Sequence, residues 1–281
     1  MLALRVLGDQ AVTDVANSKT EIIIAMRASI AFRRLIKLVH RRFFRRRVVE
    51  ETPLGEREGY ETVFDDDVMK VLHIRGRKEE CIVSFTGVGH ALGGLDLQNP
   101  EFARSDGDEI KIFVIDKQRS WGNSLNWEKL KEIVDCLAPD AQITTIGNSM
   151  GGFLAILSLP VFGAKKAVAF VPQWSIDPSI VPGEDRWLRY RNEIKHIIYP
   201  DLTNAVRTQA KIYTFFGKDG KDGVHLQFFS NENLEAIVLE DCGHNAAAYL
   251  KKHGMLYPVL NACRDGADIK TLLREANIRV F

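Results

Sequence analysis

The chain has 281 residues, 46% of them hydrophobic and 27% charged, and its 38 Lys and Arg against 37 Asp and Glu leave a net charge of +1. That balance supplies apolar material for a sizeable core and excludes a chain drawn as a whole to nucleic acid or to a membrane. No apolar stretch approaches the roughly 20 residues needed to span a bilayer, and no secretory signal is expected.

The average hides an uneven start. Residues 22–49 hold Arg27, Arg33, Arg34, Lys37, Arg41, Arg42, Arg45, Arg46 and Arg47 and no acidic side chain. Apolar residues recur among them near helical spacing, which predicts a basic amphipathic helix. Its expected partner is an anionic membrane surface or another polyanion, set against a helix packed on its own domain; no specific nucleic-acid recognition is expected. Pro53 and Gly55 mark a boundary, so 1–56 is expected to be an extension and 57–281 the main domain.

Beyond the boundary the pattern becomes α/β. Short apolar, β-branched runs at 68–74, 81–85, 110–115, 143–146, 166–171, 211–216 and 234–239 predict strands buried on both faces. Helical patterns at 126–137, 152–159 and 245–262 fall between or after them. This alternation predicts a mostly parallel, doubly wound sheet. Residues 175–208 exceed a minimal crossover and are expected to form a short cap; there Asp185, Arg186, Trp187, Arg189, Tyr190 and Arg191 mix charge with aromatics. Those from Arg186 to Arg191 are expected to form an exposed helix face, with contact to an acidic or sugar-bearing substrate as the alternative. The four cysteines, Cys81, Cys136, Cys242 and Cys263, form no metal-ligand spacing. Cys81 and Cys136 are expected to be buried thiols, and a reducing, cytoplasmic setting is expected, with or without attachment at a membrane surface.

The chemistry concentrates at Gly147-Asn148-Ser149-Met150-Gly151, a G-x-S-x-G pattern between a predicted strand and a predicted helix. A serine on so sharp a turn is lifted out of the sheet as a nucleophile, and the helix N-terminus behind it favours negative charge. Its base should follow the acid in the chain. His244 lies just after the last predicted strand and fills that place, whereas His40, His73, His196 and His253 do not. The acid should follow the strand at 211–216, where Asp222 is preferred and Asp219 is the alternative. One oxyanion donor is expected at the Met150 N–H. The other is expected in the Thr86-Gly87-Val88-Gly89 loop, at Val88 or alternatively Gly87.

These segments, T-G-V-G, G-N-S-M-G-G and a late C-G-H, resemble the α/β-hydrolase superfamily over roughly residues 60–265. The resemblance implies a mostly parallel sheet of up to about eight strands, a Ser-Asp-His triad and neither metal nor organic cofactor. Thr86 stands where many members have His, and the cap is short. The expected reaction is cleavage of a carboxylic ester or thioester of a small-molecule acyl substrate through an acyl-serine. Acyl transfer by the same triad is the alternative within this chemistry, and a non-catalytic binding protein on the same fold is the alternative outside it.

Overall fold

The structure is a computed structural model and describes residues 59–281 except 77–78, 93–94 and 104–106. The chain divides into two units, Met1–Thr52 and Pro53–Phe281, and the described residues belong to the second. The basic helix expected over 22–49, with the extension 1–56, lies outside the described residues.

The strands are β1 (Glu61–Asp65), β2 (Met69–Ile74), β3 (Glu80–Phe85), β4 (His90–Leu92), β5 (Leu95–Leu97), β6 (Ile110–Asp116), β7 (Gln142–Asn148), β8 (Lys166–Phe170), β9 (Lys211–Gly217) and β10 (Leu234–Leu239). One sheet of eight strands runs β1-β2-β6-β3-β7-β8-β9-β10, and β4 pairs with β5 in a separate hairpin. The β1–β2 and β2–β6 pairings are antiparallel, while every pairing from β6 to β10 is parallel. This is the mostly parallel sheet expected from the sequence.

Burial follows the strand period of two. Cys81, Val83 and Phe85 of β3 join one core layer, and Ile82 between them joins the layer on the other face. The α-helices of the described residues are α1 (Trp127–Leu137), α2 (Met150–Leu157), α3 (Leu159–Phe162), α4 (Leu188–Glu193), α5 (Gly223–Leu226), α6 (Ala246–Lys252), α7 (Leu256–Asp265) and α8 (Ile269–Glu275). Every residue of α2 is buried, as befits a helix apolar on all sides. No helix among the described residues is long and apolar enough to cross a membrane.

Three expectations need correction, and one strand of the main sheet was not foreseen. The strand β1 went unpredicted because its residues are only half-buried and break register between Thr62 and Phe64. The helix expected over 245–262 is two helices, since Gly254 at φ 71° turns the chain between α6 and α7. Cys136 is exposed, because the buried face of α1 runs through Trp127, Leu130, Ile133 and Val134. Residues 175–208 hold the short helix α4, yet Arg186 precedes it and turns inward. At the sheet's far edge the chain folds back on β10: Leu239 bridges Val280, and the Phe281 N–H donates to the Val238 carbonyl at 3.1 Å.

Candidate active site

β7 ends at Asn148 and α2 begins at Met150, so Ser149 alone makes the turn, at φ 56° and ψ −119°. A side chain bearing a Cβ is strained there. The strain is held by backbone bonds: the Ser149 N–H donates to the Phe170 carbonyl at 2.8 Å, and the Ser149 carbonyl accepts from Phe153 at 3.1 Å. Two glycines let the turn close. A Cβ on Gly147 would stand 2.1 Å from the Gly151 carbonyl oxygen, and one on Gly151 would stand 2.1 Å from that of Phe85.

Three predicted residues meet here although they lie far apart in the chain. The Oγ of Ser149 is 3.2 Å from His244 Nε2, and His244 Nδ1 is 3.0 Å from both oxygens of Asp222. With Asp222 ionised, Nδ1 carries the proton and donates to it, leaving Nε2 as the acceptor facing the serine hydroxyl. Ser149 and Asp222 are buried, while a third of the His244 side chain (34%) reaches solvent. Burial pushes the Asp222 carboxyl up, but the hydrogen bond and charge of His244, and then Arg186, outweigh it and hold the group below its usual value. Asp219 is exposed; its backbone N–H donates to the Cys242 carbonyl at 3.0 Å. Asp222 is therefore the aspartate that touches His244.

The expected donor loop runs beside the elbow, with a Cβ on Gly87 placed 3.0 Å from the Asn148 carbonyl oxygen. The Gly87 N–H already donates to Glu101 Oε1 at 3.2 Å, so the alternative donor is committed elsewhere. The Val88 N–H makes no hydrogen bond among the described residues, and the Val88 carbonyl accepts from Arg119 Nε at 3.0 Å. The Met150 N–H sits in the first turn of α2, where backbone donors have no intrahelical partner. Burial pushes Glu101 up to about 7 despite the Gly87 N–H, which limits the negative charge it brings near that loop.

Other residues at the site were not foreseen. Gln173 is fully buried, and its Nε2 donates to Ser149 Oγ at 3.1 Å. Its Oε1 accepts from the indole N–H of Trp121 at 3.1 Å, which fixes the orientation of the amide. Trp121 is positioned in turn by the loop after β6, where buried Asp116 accepts from the Ser120 N–H and hydroxyl, each at 2.8 Å. Trp187 lies against His244, their ring centroids 6.2 Å apart. Behind Asp222 stand Arg186, Glu184 and His225. Gln173 follows a predicted strand and Arg186 sits in a cluster of charge and aromatics, but no local pattern says what either touches.

Val88, Ser149, Gln173, Asp222 and His244 all follow the carboxyl ends of parallel strands, β3, β7, β8, β9 and β10 in turn, the edge where open α/β sheets present their ligands. No protein-family model matches the sequence, and no curated protein matches it. Among solved structures the chain is similar to the capsule O-acetyltransferase of Neisseria meningitidis serogroup A in complex with caged gadolinium, with a TM-score of 0.55 and 17% identity over 73% of this chain and 95% of that one. A mutant of that enzyme in complex with CoA gives a TM-score of 0.52 and 16% identity over 68% and 91%. An esterase of Pyrococcus furiosus gives 0.50 and 15% identity over 76% and 94%. Strand order, serine elbow and these likenesses together give the chain the α/β-hydrolase fold.

Proposed function

We propose that the protein is a serine-dependent ester hydrolase acting through an acyl-serine. The observation that carries this reading is the strained Ser149, its Oγ 3.2 Å from His244 Nε2, with His244 Nδ1 3.0 Å from buried Asp222. Ser149 Oγ attacks the substrate carbonyl carbon while His244 Nε2 takes the hydroxyl proton. The N–H groups of Met150 and Val88 donate to the carbonyl oxygen as negative charge develops on it. The tetrahedral intermediate collapses, and the leaving alkoxide takes the proton from His244. Water then attacks the acyl-serine, giving its proton to His244, and collapse returns that proton to Ser149 as the carboxylic acid departs. Asp222 offsets the imidazolium charge in both halves.

The test is a fluorophosphonate probe applied to the protein and to Ser149→Ala, with the adduct located by mass spectrometry. Labelling of Ser149, absent from the variant, is expected. Folded protein that stays unlabelled would remove the hydrolase reading in favour of a binding protein on the same fold.

A second reading is acyl transfer, with an alcohol or amine replacing water in the second half-reaction. It is favoured by the fold shared with a capsule O-acetyltransferase, one of whose structures holds CoA. Product analysis with an acyl thioester or ester, with and without added alcohols, separates the two. For residues 22–49, nine Lys and Arg without an acidic residue support attachment to an anionic surface. Deletion of residues 1–49 should abolish salt-sensitive binding to anionic vesicles.

A further inference from the structure

One arginine of the segment between β8 and β9 enters the site from behind. Arg186 Nε lies 3.0 and 3.2 Å from the two oxygens of Glu184, Nη2 lies 2.5 Å from Glu184 Oε2, and Nη1 donates to Asp222 Oδ1 at 2.9 Å. The same Nη1 is 3.5 Å from His244 Nδ1. Glu184 is anchored from its other side by His225 Nε2 at 2.7 Å, and both of those side chains are wholly buried. Trp174 donates its backbone N–H to His225 Nδ1 at 3.1 Å, so the proton of a neutral His225 sits on Nε2 and points at Glu184.

Arg186 is poorly placed to bind a substrate anion. Its Nε, Nη1 and Nη2 all face carboxylates of this chain, and only 20% of the side chain is exposed. Its charge instead completes a local balance. Asp222 carries a negative charge against His244 and Glu184 a second one behind it, and Arg186, lying between the two carboxylates, offsets one of them. Without that offset the added negative charge would favour the imidazolium form of His244, and an imidazolium cannot accept the serine proton. Glu184 is held down to about 2: burial alone would raise it, but His225 and then Arg186 outweigh that.

We infer that Arg186 is a positioning residue of the candidate triad, which holds Asp222 against His244 and keeps the imidazole free to accept the Ser149 proton. This rests on the hydrolase reading above. The neighbouring described loops carry further titratable groups. From the loop of His244, Asp241 pairs with Arg279 at 2.5 Å, and burial pushes the Cys242 thiol up to about 11. From the loop after β9, Lys221 pairs with Asp185 at 2.6 Å and Asp219 is exposed. From the elbow only Ser149 faces the imidazole.

The experiment measures the rate constant of fluorophosphonate labelling between about pH 5 and about pH 9 for the wild type, Arg186→Gln and Arg186→Lys. Loss of the guanidinium should move the acid limb of the Arg186→Gln profile up by about one pH unit and lower its plateau about tenfold. Arg186→Lys keeps the charge but cannot fork between two carboxylates, so its limb should stay in place while its plateau falls about tenfold. An Arg186→Gln limb coincident with that of the wild type overturns the proposal and leaves the triad standing. If Arg186→Gln does not fold, a wild-type plateau in Arg186→Lys overturns it equally. Wild-type protein that is never labelled at Ser149 overturns the triad reading and this proposal together.

Discussion

Gln173 offers a test that separates packing from chemistry within one side chain. Gln173→Leu keeps much of the volume while removing the donor to Ser149 Oγ at 3.1 Å and the acceptor of the Trp121 indole N–H at 3.1 Å. Trp121 is 1% exposed, so its orphaned N–H finds no water and costs about 1–3 kcal/mol. With about 2 kcal/mol as the central value, a domain of this size should melt about 4–8 °C lower. The lost donor to Oγ is a neutral hydrogen bond worth about 1 kcal/mol that holds Oγ in place for attack, so its loss should slow labelling at Ser149 by at most about fivefold. Calorimetry and the labelling rate measure the two effects independently. Trp121→Phe supplies the control, because it orphans the Gln173 Oε1 instead. In the double variant both polar partners are gone, so its destabilisation should fall short of the sum of the singles by about 0.5 kcal/mol or more. A Gln173→Leu protein that melts and labels like the wild type would refute the reasoning.

Gly151→Ala would place a Cβ 2.1 Å from the Phe85 carbonyl oxygen; backbone must part there, and the urea midpoint should show a loss of about 3 kcal/mol or more. Asp222→Asn should slow labelling about 10³–10⁴-fold, whereas Asp219→Asn, altering an exposed side chain, should stay within about twofold. Equal losses in both would contradict the assignment of Asp222. Glu184 is held from its ordinary 4.5 down to about 2, so the stability it contributes is complete above about pH 4.5 and lost as pH falls toward about 2. Urea titrations should find Glu184→Gln furthest below the wild type near neutrality, the gap closing through that window. In native protein an alkylating agent should modify exposed Cys136 and spare Cys81, which is buried and pushed up to about 12, and Cys263, which is buried and pushed higher still.

What the sequence disclosed was local or ordered along the chain. The elbow was legible because strand, Gly147, Ser149, Gly151 and helix are contiguous, and glycines at those places have a steric reason. His244 was legible as the candidate base because a serine nucleophile's base is expected after the last strands. The parallel sheet was legible in its continuous apolar runs, which strands buried on both faces require. Asp222 and Asp219 were hard to tell apart because both precede glycine in one loop, and the separation comes from which carboxylate the fold buries. Gln173, Glu184, Arg186 and His225 stayed hidden for another reason: the contacts of Gln173 with Ser149 and Trp121, of Arg186 with Asp222 and of Glu184 with His225 span 24 to 52 positions, although Glu184 and Arg186 also pair two positions apart. Polar contacts at such distances leave no periodic trace. The break at Gly254 was missed because apolar residues on both sides keep the helical period.

The return of the chain onto β10 matters beyond the strand it covers. An open strand at the rim of a sheet offers its backbone donors and acceptors as a template on which another chain can extend the sheet. Here the bridge from Leu239 to Val280 and the Phe281 bond to Val238 occupy part of that template, and the Lys218 ammonium rests 4.5 Å from the centre of the Phe281 ring. A shortened chain lacking residues 279–281 would retain Ser149, His244 and Asp222 but expose the rim of β10, trading solubility at high concentration for nothing at the serine.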